Sequence, residues 1–257
     1  MLTQPTQMTQ EFILETQGLS KQFLGFNAVS DVNLRIRRGS IHALIGPNGA
    51  GKTTVFNLLT KFHSPSAGLI HFNGTNITAE NQVQVARRGM IRSFQISATF
   101  SHLTVLENVR VALQRNRGDS FNFWSSEKRL NVLNDRAMEL LTEVDLAEFA
   151  DTVTVEMPYG RKRALEIATT LALNPDLMLL DEPTQGMGHE DVGRVVELIR
   201  KVSAKRTILM VEHNLSVVES LCNTITVLQR GSVLAEGDYA TVSKDPRVLE
   251  AYVGVEA

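Results

Sequence analysis

The stretch Gly46-Pro47-Asn48-Gly49-Ala50-Gly51-Lys52-Thr53-Thr54 satisfies the pattern GxxxxGK[ST] at every constrained position. Glycines so spaced let backbone N–H groups converge on phosphate oxygens without Cβ interference, and a helix starting behind them adds partial positive charge. Lys52 would reach the β- and γ-phosphates of a nucleoside triphosphate, and the Thr53 hydroxyl would ligate Mg2+. A second constellation lies far along the chain. Asp181 and Glu182 directly follow the apolar run 177–180, and Pro183 ends it. Ligands bind at the carboxyl ends of parallel strands, so Asp181 there can support Mg2+ through water while Glu182 polarises an attacking water. His213 occupies the corresponding place after the apolar run 207–211, which makes it a candidate γ-phosphate sensor. Tyr159-Gly160 precedes Arg161, Lys162 and Arg163, three cations in the first turn of a helix whose dipole disfavours them. A docked anion would relieve that conflict, and a solvated basic turn is the equal alternative.

These residues need elements to hold them. Residues 42–45 form an apolar run suited to a buried strand and 53–60 continue as a helix, the context that the phosphate pattern requires. The runs at 177–180 and 207–211 are fully apolar, as strands of a parallel sheet covered on both faces are, and helices over 161–173 and 191–203 alternate with them. Upstream, strands begin at 12–16 and 32–36, the latter alternating apolar and polar residues. Phe23 and Phe26 fall in the loop between them, where an aromatic either packs on the sheet or stacks on a nucleobase. A strand at 69–72, a helix over 78–90 capped by Thr78, and a strand at 91–95 ending on Gln95 come next. From about 96 to 160 the apolar spacing is helical, the mark of a helical insertion, with the linker 118–126 holding the lone tryptophan. Strands at 224–228 and 232–235 and a helix near 246–253 close the chain. The expected fold class is α/β: a P-loop NTPase with a mostly parallel core sheet, an N-terminal antiparallel β subdomain and a helical insertion. One domain over 11–257 follows a disordered tail at 1–10 and ends in a short extension at 238–257.

Composition narrows the function. With 257 residues, 43% of them hydrophobic, the chain can bury a full core as a single domain. A formal net charge of −2 argues against a general nucleic-acid binder. Cys222 is the only cysteine, which excludes an intramolecular disulfide and a cysteine metal cluster and fits a reducing compartment. The polar start of the chain lacks a charged-then-apolar leader, and no run approaches the ~20 apolar residues of a membrane span. A soluble protein, or one peripheral to a membrane, is expected.

Together these motifs resemble the nucleotide-binding subunit of ABC transporters from about Phe12 to Gly254. The resemblance implies the ABC ATPase fold, with ATP and Mg2+ as ligands. Residues 46–54 look like Walker A and 177–182 like Walker B with the catalytic glutamate. Gln95 is similar to the Q-loop glutamine, which implies catalytic and Mg2+ contacts, and His213 to the switch histidine. Phe23 falls where the family places its adenine-stacking aromatic. Met157-Pro158-Tyr159-Gly160-Arg161 occupies the signature position, usually LSGGQ, so Tyr159 and Gly160 would face the γ-phosphate held by a second ATPase subunit. The stretches 92–95, 104–109, 159–160 with 165–168, and 250–254 resemble the branched-chain amino acid importers. That likeness implies membrane permease subunits as partners, indirectly an extracytoplasmic solute-binding protein, and a peripheral place on the cytoplasmic face of the bacterial inner membrane.

Two departures stand out. Pro158 replaces the signature serine, removing a hydroxyl and an N–H. Gly188 stands where the loop after Walker B usually carries Asp or Asn. Partial compensation by residues 161–163, or a partner with a complete signature, are both open. The ATPase of a lipid-extracting ABC system and a soluble non-transport ABC ATPase are the competing functions. A two-cassette chain or a long coiled coil, usual in the latter, is absent from this sequence.

Overall fold

The computed structural model describes residues 11–93, 99–117 and 131–253. The N-terminal tail, Gln95 and the tryptophan linker lie outside the described residues. The central sheet consists of β4 (Ile41–Ile45), β7 (Met90–Ser93), β8 (Leu177–Asp181), β9 (Thr207–Val211), β10 (Thr224–Gln229) and β11 (Ser232–Gly237). Their order is β11-β10-β4-β9-β8-β7, parallel throughout except for the β10/β11 hairpin. Every residue of β4, β8 and β9 is buried, as continuous apolar runs in a doubly covered sheet require. Alternate side chains enter opposite cores. Ala43, Met178, Leu180, Ile208 and Met210 join one cluster, whereas Leu44, Leu177, Leu179, Leu209 and Val211 join the other.

The second cluster is closed by helix α1 (Lys52–Leu59) and by a mainly antiparallel sheet of β1 (Phe12–Phe23), β2 (Phe26–Val32), β3 (Arg35–Arg37), β5 (Ala67–Phe72) and β6 (Thr75–Asn76). Here the structure differs from the sequence pattern in three places. The alternation at 32–36 is split between β2 and β3. Thr16 Oγ1 accepts the Leu34 N–H (2.8 Å) and donates to Val32 O (2.9 Å), while Asn33 Oδ1 accepts the Gly18 N–H (2.8 Å). Side chains thus replace ladder bonds where β1 changes partner. Phe23 and Phe26 are not in an open loop. They face each other across a two-residue hairpin whose Leu24 and Gly25 both have positive φ (44° and 89°). The third difference is α2 (Gln82–Arg87), which begins four residues later than Thr78. Asn81 and Gln84 form its reciprocal capping box, and Thr78 is engaged elsewhere, its hydroxyl accepting the Ile70 N–H (2.8 Å).

Between β7 and β8 the described chain is helical: α3 (Val105–Arg117), α4 (Asn134–Glu143) and α5 (Tyr159–Ala172), packed together through Val109, Leu140 and Leu165. α6 (His189–Ser203) and α7 (Leu215–Leu221) flank β9 in sequence, and α8 (Tyr239–Val242) and α9 (Pro246–Val253) end the chain.

Two phosphate-loop glycines are also demanded by packing. A Cβ on Gly46 (φ 146°) would stand 2.1 Å from the Leu228 carbonyl oxygen, and one on Gly51 (φ 102°) 2.7 Å from that of Ala28. Gly49 (φ 77°) has open space around it. Replacement of Gly49 by Ala should therefore cost only the roughly 1–2 kcal/mol of a left-handed backbone. Gly51→Ala adds a backbone clash and should lose clearly more in equilibrium unfolding; equal losses would contradict the packing account.

His42, buried in β4, places Nε2 2.7 Å from Thr226 Oγ1, which itself donates to Glu236 Oε2 (2.6 Å). With its hydroxyl proton on Glu236, Thr226 accepts from His42, so the Nε2–H tautomer is fixed. Burial pushes the imidazole pKa down to about 4. An unfolded histidine near 6.5 binds its proton first, so the stabilisation is complete above pH 6.5 and is lost as pH falls toward 4. Denaturant melts should show wild type losing about 2 kcal/mol more than His42→Gln between pH 7.5 and pH 5.

Candidate active site

In parallel register Leu44 lies beside Val211, and Val211 beside Asp181. The chain therefore leaves β4, β9 and β8 at one edge, delivering the phosphate loop, His213 and Glu182 together. α1 starts at Lys52 directly behind the loop, so its first turn aims free N–H groups at the same place. Lys52 is buried, and its ammonium donates to Gly46 O (2.6 Å) and Pro47 O (3.0 Å). Burial depresses its pKa, while the nearby charges of Glu182 and then Asp181 pull it back up. Thr53 is exposed in the first turn and Thr54 half-buried beside it; Asn48 and Gly49 form the exposed crest and Ala50 is buried beneath.

A cleft of about 410 Å3 opens beside this loop, lined by Asn48, Glu182, Thr184, Gln185, His213 and Asn214. Within it His213 Nε2 lies 2.9 Å from Glu182 Oε1. The Glu182 backbone is left-handed (φ 47°), a conformation costing on the order of 1–2 kcal/mol for a residue with a Cβ. Its N–H continues the sheet by bonding Val211 O (2.9 Å), and its carbonyl accepts the Gln185 N–H (3.2 Å). Strain at this position turns the side chain out of the strand alternation toward His213.

Glu212, unremarked in the sequence pattern, anchors the arrangement. Its buried Oε1 accepts the Thr184 N–H (3.0 Å) and hydroxyl, and its Oε2 accepts the N–H groups of His213 (2.7 Å) and Asn214 (3.0 Å). One carboxylate thus ties the turn after β8 to the turn after β9. A charged residue inside a buried strand end was the available signal.

Asp181 is 2% exposed, and its carboxylate is ion-paired with Arg92 from β7. Arg163 of α5 donates to the Asp181 carbonyl (3.1 Å) and pairs with Glu166 (2.5 Å). The basic helix start is therefore satisfied within the chain. Arg163 points inward, Lys162 donates to Val155 O (3.0 Å), and the Arg161 guanidinium stacks 3.8 Å over the Phe149 ring. Neither the docked anion nor the freely solvated turn is needed to explain it.

Tyr159, Gly160 and Phe23 lie outside the lining of this cleft. Tyr159 is 54% exposed, with its hydroxyl 3.4 Å from Gln185 O, and Gly160 packs against Asp191 at a separate groove. Phe23 is 37% exposed at its hairpin, edge-on to His63 (5.2 Å) and under the Lys21 ammonium (4.9 Å), so core packing is not its role.

Comparison with known proteins places the chain in a family. Residues 29–185 match the model described as ABC transporter, and 232–257 match that of the branched-chain amino acid ATP-binding cassette transporter. The chain is 36% identical over 252 residues to the high-affinity branched-chain amino acid transport ATP-binding protein BraF of Pseudomonas aeruginosa, covering 94% of this chain and 98% of that protein. It is 35% identical over 254 residues to LivG of Escherichia coli, with the same coverage. Among solved structures, the ADP conformation of MJ1267, an ATP-binding cassette of an ABC transporter, superposes with a TM-score of 0.83 at 28% identity, covering 95% of this chain and 99% of that one. A nucleotide-free cassette superposes with a TM-score of 0.82 at 26% identity, covering 94% and 98%. With its phosphate loop, strand-end carboxylates and histidine gathered at one sheet edge, the chain belongs to the ABC transporter family as an ATP-binding cassette.

Proposed function

We propose that this cassette hydrolyses ATP to drive import of branched-chain amino acids, or of related small polar solutes, through separate membrane permeases. The observation that carries the chemistry is the Glu182–His213 pair in the cleft that Asn48 also lines. In this reading the loop 46–54 cradles the phosphates, Lys52 neutralises the β- and γ-phosphates, and Phe23, exposed on its hairpin, stacks on adenine. Glu182 accepts a proton from the attacking water, and His213 orients the carboxylate and senses the γ-phosphate.

Thr53 and Asp181 supply the hard oxygen donors that Mg2+ takes alongside phosphate and water. No group of three His, Cys, Asp or Glu side chains able to hold a metal occurs among the described residues. Mg2+ bound there would offset the charge building on the transferred phosphoryl group. Gln95 is proposed as a further contact to that metal and the water.

Tyr159 and Gly160, outside the cleft of their own chain, are proposed to close on the nucleotide of a second cassette, identical or not. The permease would dock on the groove between β7, α3 and α5, where Phe100 (55% exposed) and Val111 expose apolar surface beside Arg115. No described helix is long and apolar enough to cross a membrane; attachment through the permease, on the cytoplasmic face, is proposed from the transport role of the relatives. The match of 232–257 and the names of the relatives support amino acids over lipid as the transported class.

Two measurements test this reading. Glu182→Gln should bind ATP as wild type does and lose at least about 100-fold in steady-state phosphate release; multiple turnover at the wild-type rate would remove Glu182 from the chemistry. Pull-down from detergent-solubilised native membranes should recover two integral permeases, whereas recovery of soluble partners alone would overturn the transport assignment.

A further inference from the structure

Asp181 is held from two sides by arginines that the phosphate-binding motifs do not include. Arg92 pairs with its carboxylate, and Arg163 grips its carbonyl. Arg92 reaches further than this one contact. Its NH1 donates to Asn57 Oδ1 (2.7 Å) on α1, the helix that begins at Lys52, and its guanidinium lies 5.6 Å from the Phe56 ring. The buried Nε has no partner among the described residues. A planar guanidinium presents separate nitrogens in a fixed fork, so it meets the carboxylate and the amide in set directions, whereas a lysine offers a single nitrogen.

Arg92 also lines the groove between β7, α3 and α5, and so does Glu166, the partner of Arg163. The same side chain that neutralises Asp181 therefore forms part of the surface proposed for the permease. A dication near Asp181 meets a carboxylate whose charge is already matched in a poorly solvated place, and the attraction is reduced accordingly.

We propose that Arg92 is a positioning residue that competes with Mg2+ for the Asp181 carboxylate and so sets, from within the groove, how readily MgADP and MgATP are held. This rests on the reading of Asp181 as the Mg2+-side carboxylate. With the guanidinium on Asp181, the carboxylate is a weak metal partner. Displacement of Arg92 toward an acceptor in the groove, for which its Nε is a spare donor, would free Asp181 and strengthen metal engagement. Groove occupancy and the grip on the metal-nucleotide are thereby linked through one side chain.

Binding of a fluorescent ADP analogue during MgCl2 titration, with no turnover, tests this in the full-length protein. Arg92→Gln should lower the Mg2+ concentration at half-saturation by about tenfold, the effect of one lost ion pair. Arg92→Lys, which keeps the charge without the fork, should fall between this variant and wild type. If Arg92→Gln does not fold, the Lys variant alone decides. Arg92 variants with the wild-type Mg2+ midpoint, or a higher one, would overturn the proposal. Asp181→Asn separates it from the reading beneath. That variant should raise the midpoint, and adding Arg92→Gln to it should change nothing more. An unchanged midpoint in Asp181→Asn would remove Asp181 from the metal site, whereas a raised midpoint with inert Arg92 variants would defeat the competition alone.

Discussion

The parallel ladder that sets Leu44, Val211 and Asp181 side by side is the constraint on which the site depends. Hydrogen-bonded neighbours in a sheet stand about 4.8 Å apart, so three consecutive strand ends span about 10 Å, roughly the reach of a triphosphate and its attacking water. No local property of residues 46–54, 181–182 or 213 produces that neighbourhood. It follows from the crossover order of β4, β9 and β8 together with burial on both faces, which fixes which residue of each strand is last.

Beyond the strand ends, buried carboxylates do the fastening. Glu212 gathers three backbone N–H groups and a hydroxyl, and Asp181 is matched by Arg92 on its carboxylate and Arg163 on its carbonyl. Such groups are costly to bury alone and are tolerable because each charge is met by donors from separate elements. Glu212 joins two turns, while Arg92 and Arg163 join β7 and α5 to β8. The strand-end edge that carries the phosphate loop and the helical layer are consequently one electrostatic unit. The left-handed backbone at Glu182 is held by the Val211 carbonyl on one side and the Gln185 N–H on the other.

The start of α5 shows how an apparent electrostatic conflict disappears in three dimensions. Positive charge in the first turn opposes the helix dipole, and Pro158 provides no side-chain cap. Arg163 gains a buried carboxylate one turn on, and Arg161 gains an aromatic face. What remains outward is Tyr159 beside a glycine packed against Asp191, at a groove lined by charges of both signs, among them Glu148, Arg161, Glu190 and Arg194.

The sequence alone determined the phosphate loop, the carboxylate pair, the histidine and the apolar strands beneath them, because each is a local pattern: fixed glycine spacing, or a buried run followed by a polar residue. It also determined the α/β alternation, and the helix at 246–253 lies where the pattern put it. Only the tertiary structure decided where β1 changes partner, that Phe23 closes a hairpin rather than packing in a core, and that Thr78 serves a strand instead of a helix. The same holds for the roles of Arg92, Glu212 and Arg163. Arg92 and Glu212 are single charged residues beside apolar stretches, and Arg163 ends the cationic run 161–163; the contacts that join elements reach 89 positions from Arg92 to Asp181, 28 from Glu212 to Thr184 and 18 from Arg163 to the Asp181 carbonyl. Charge pairing in a buried layer is set by which elements pack together, and that information resides in the sheet order rather than in any local spacing.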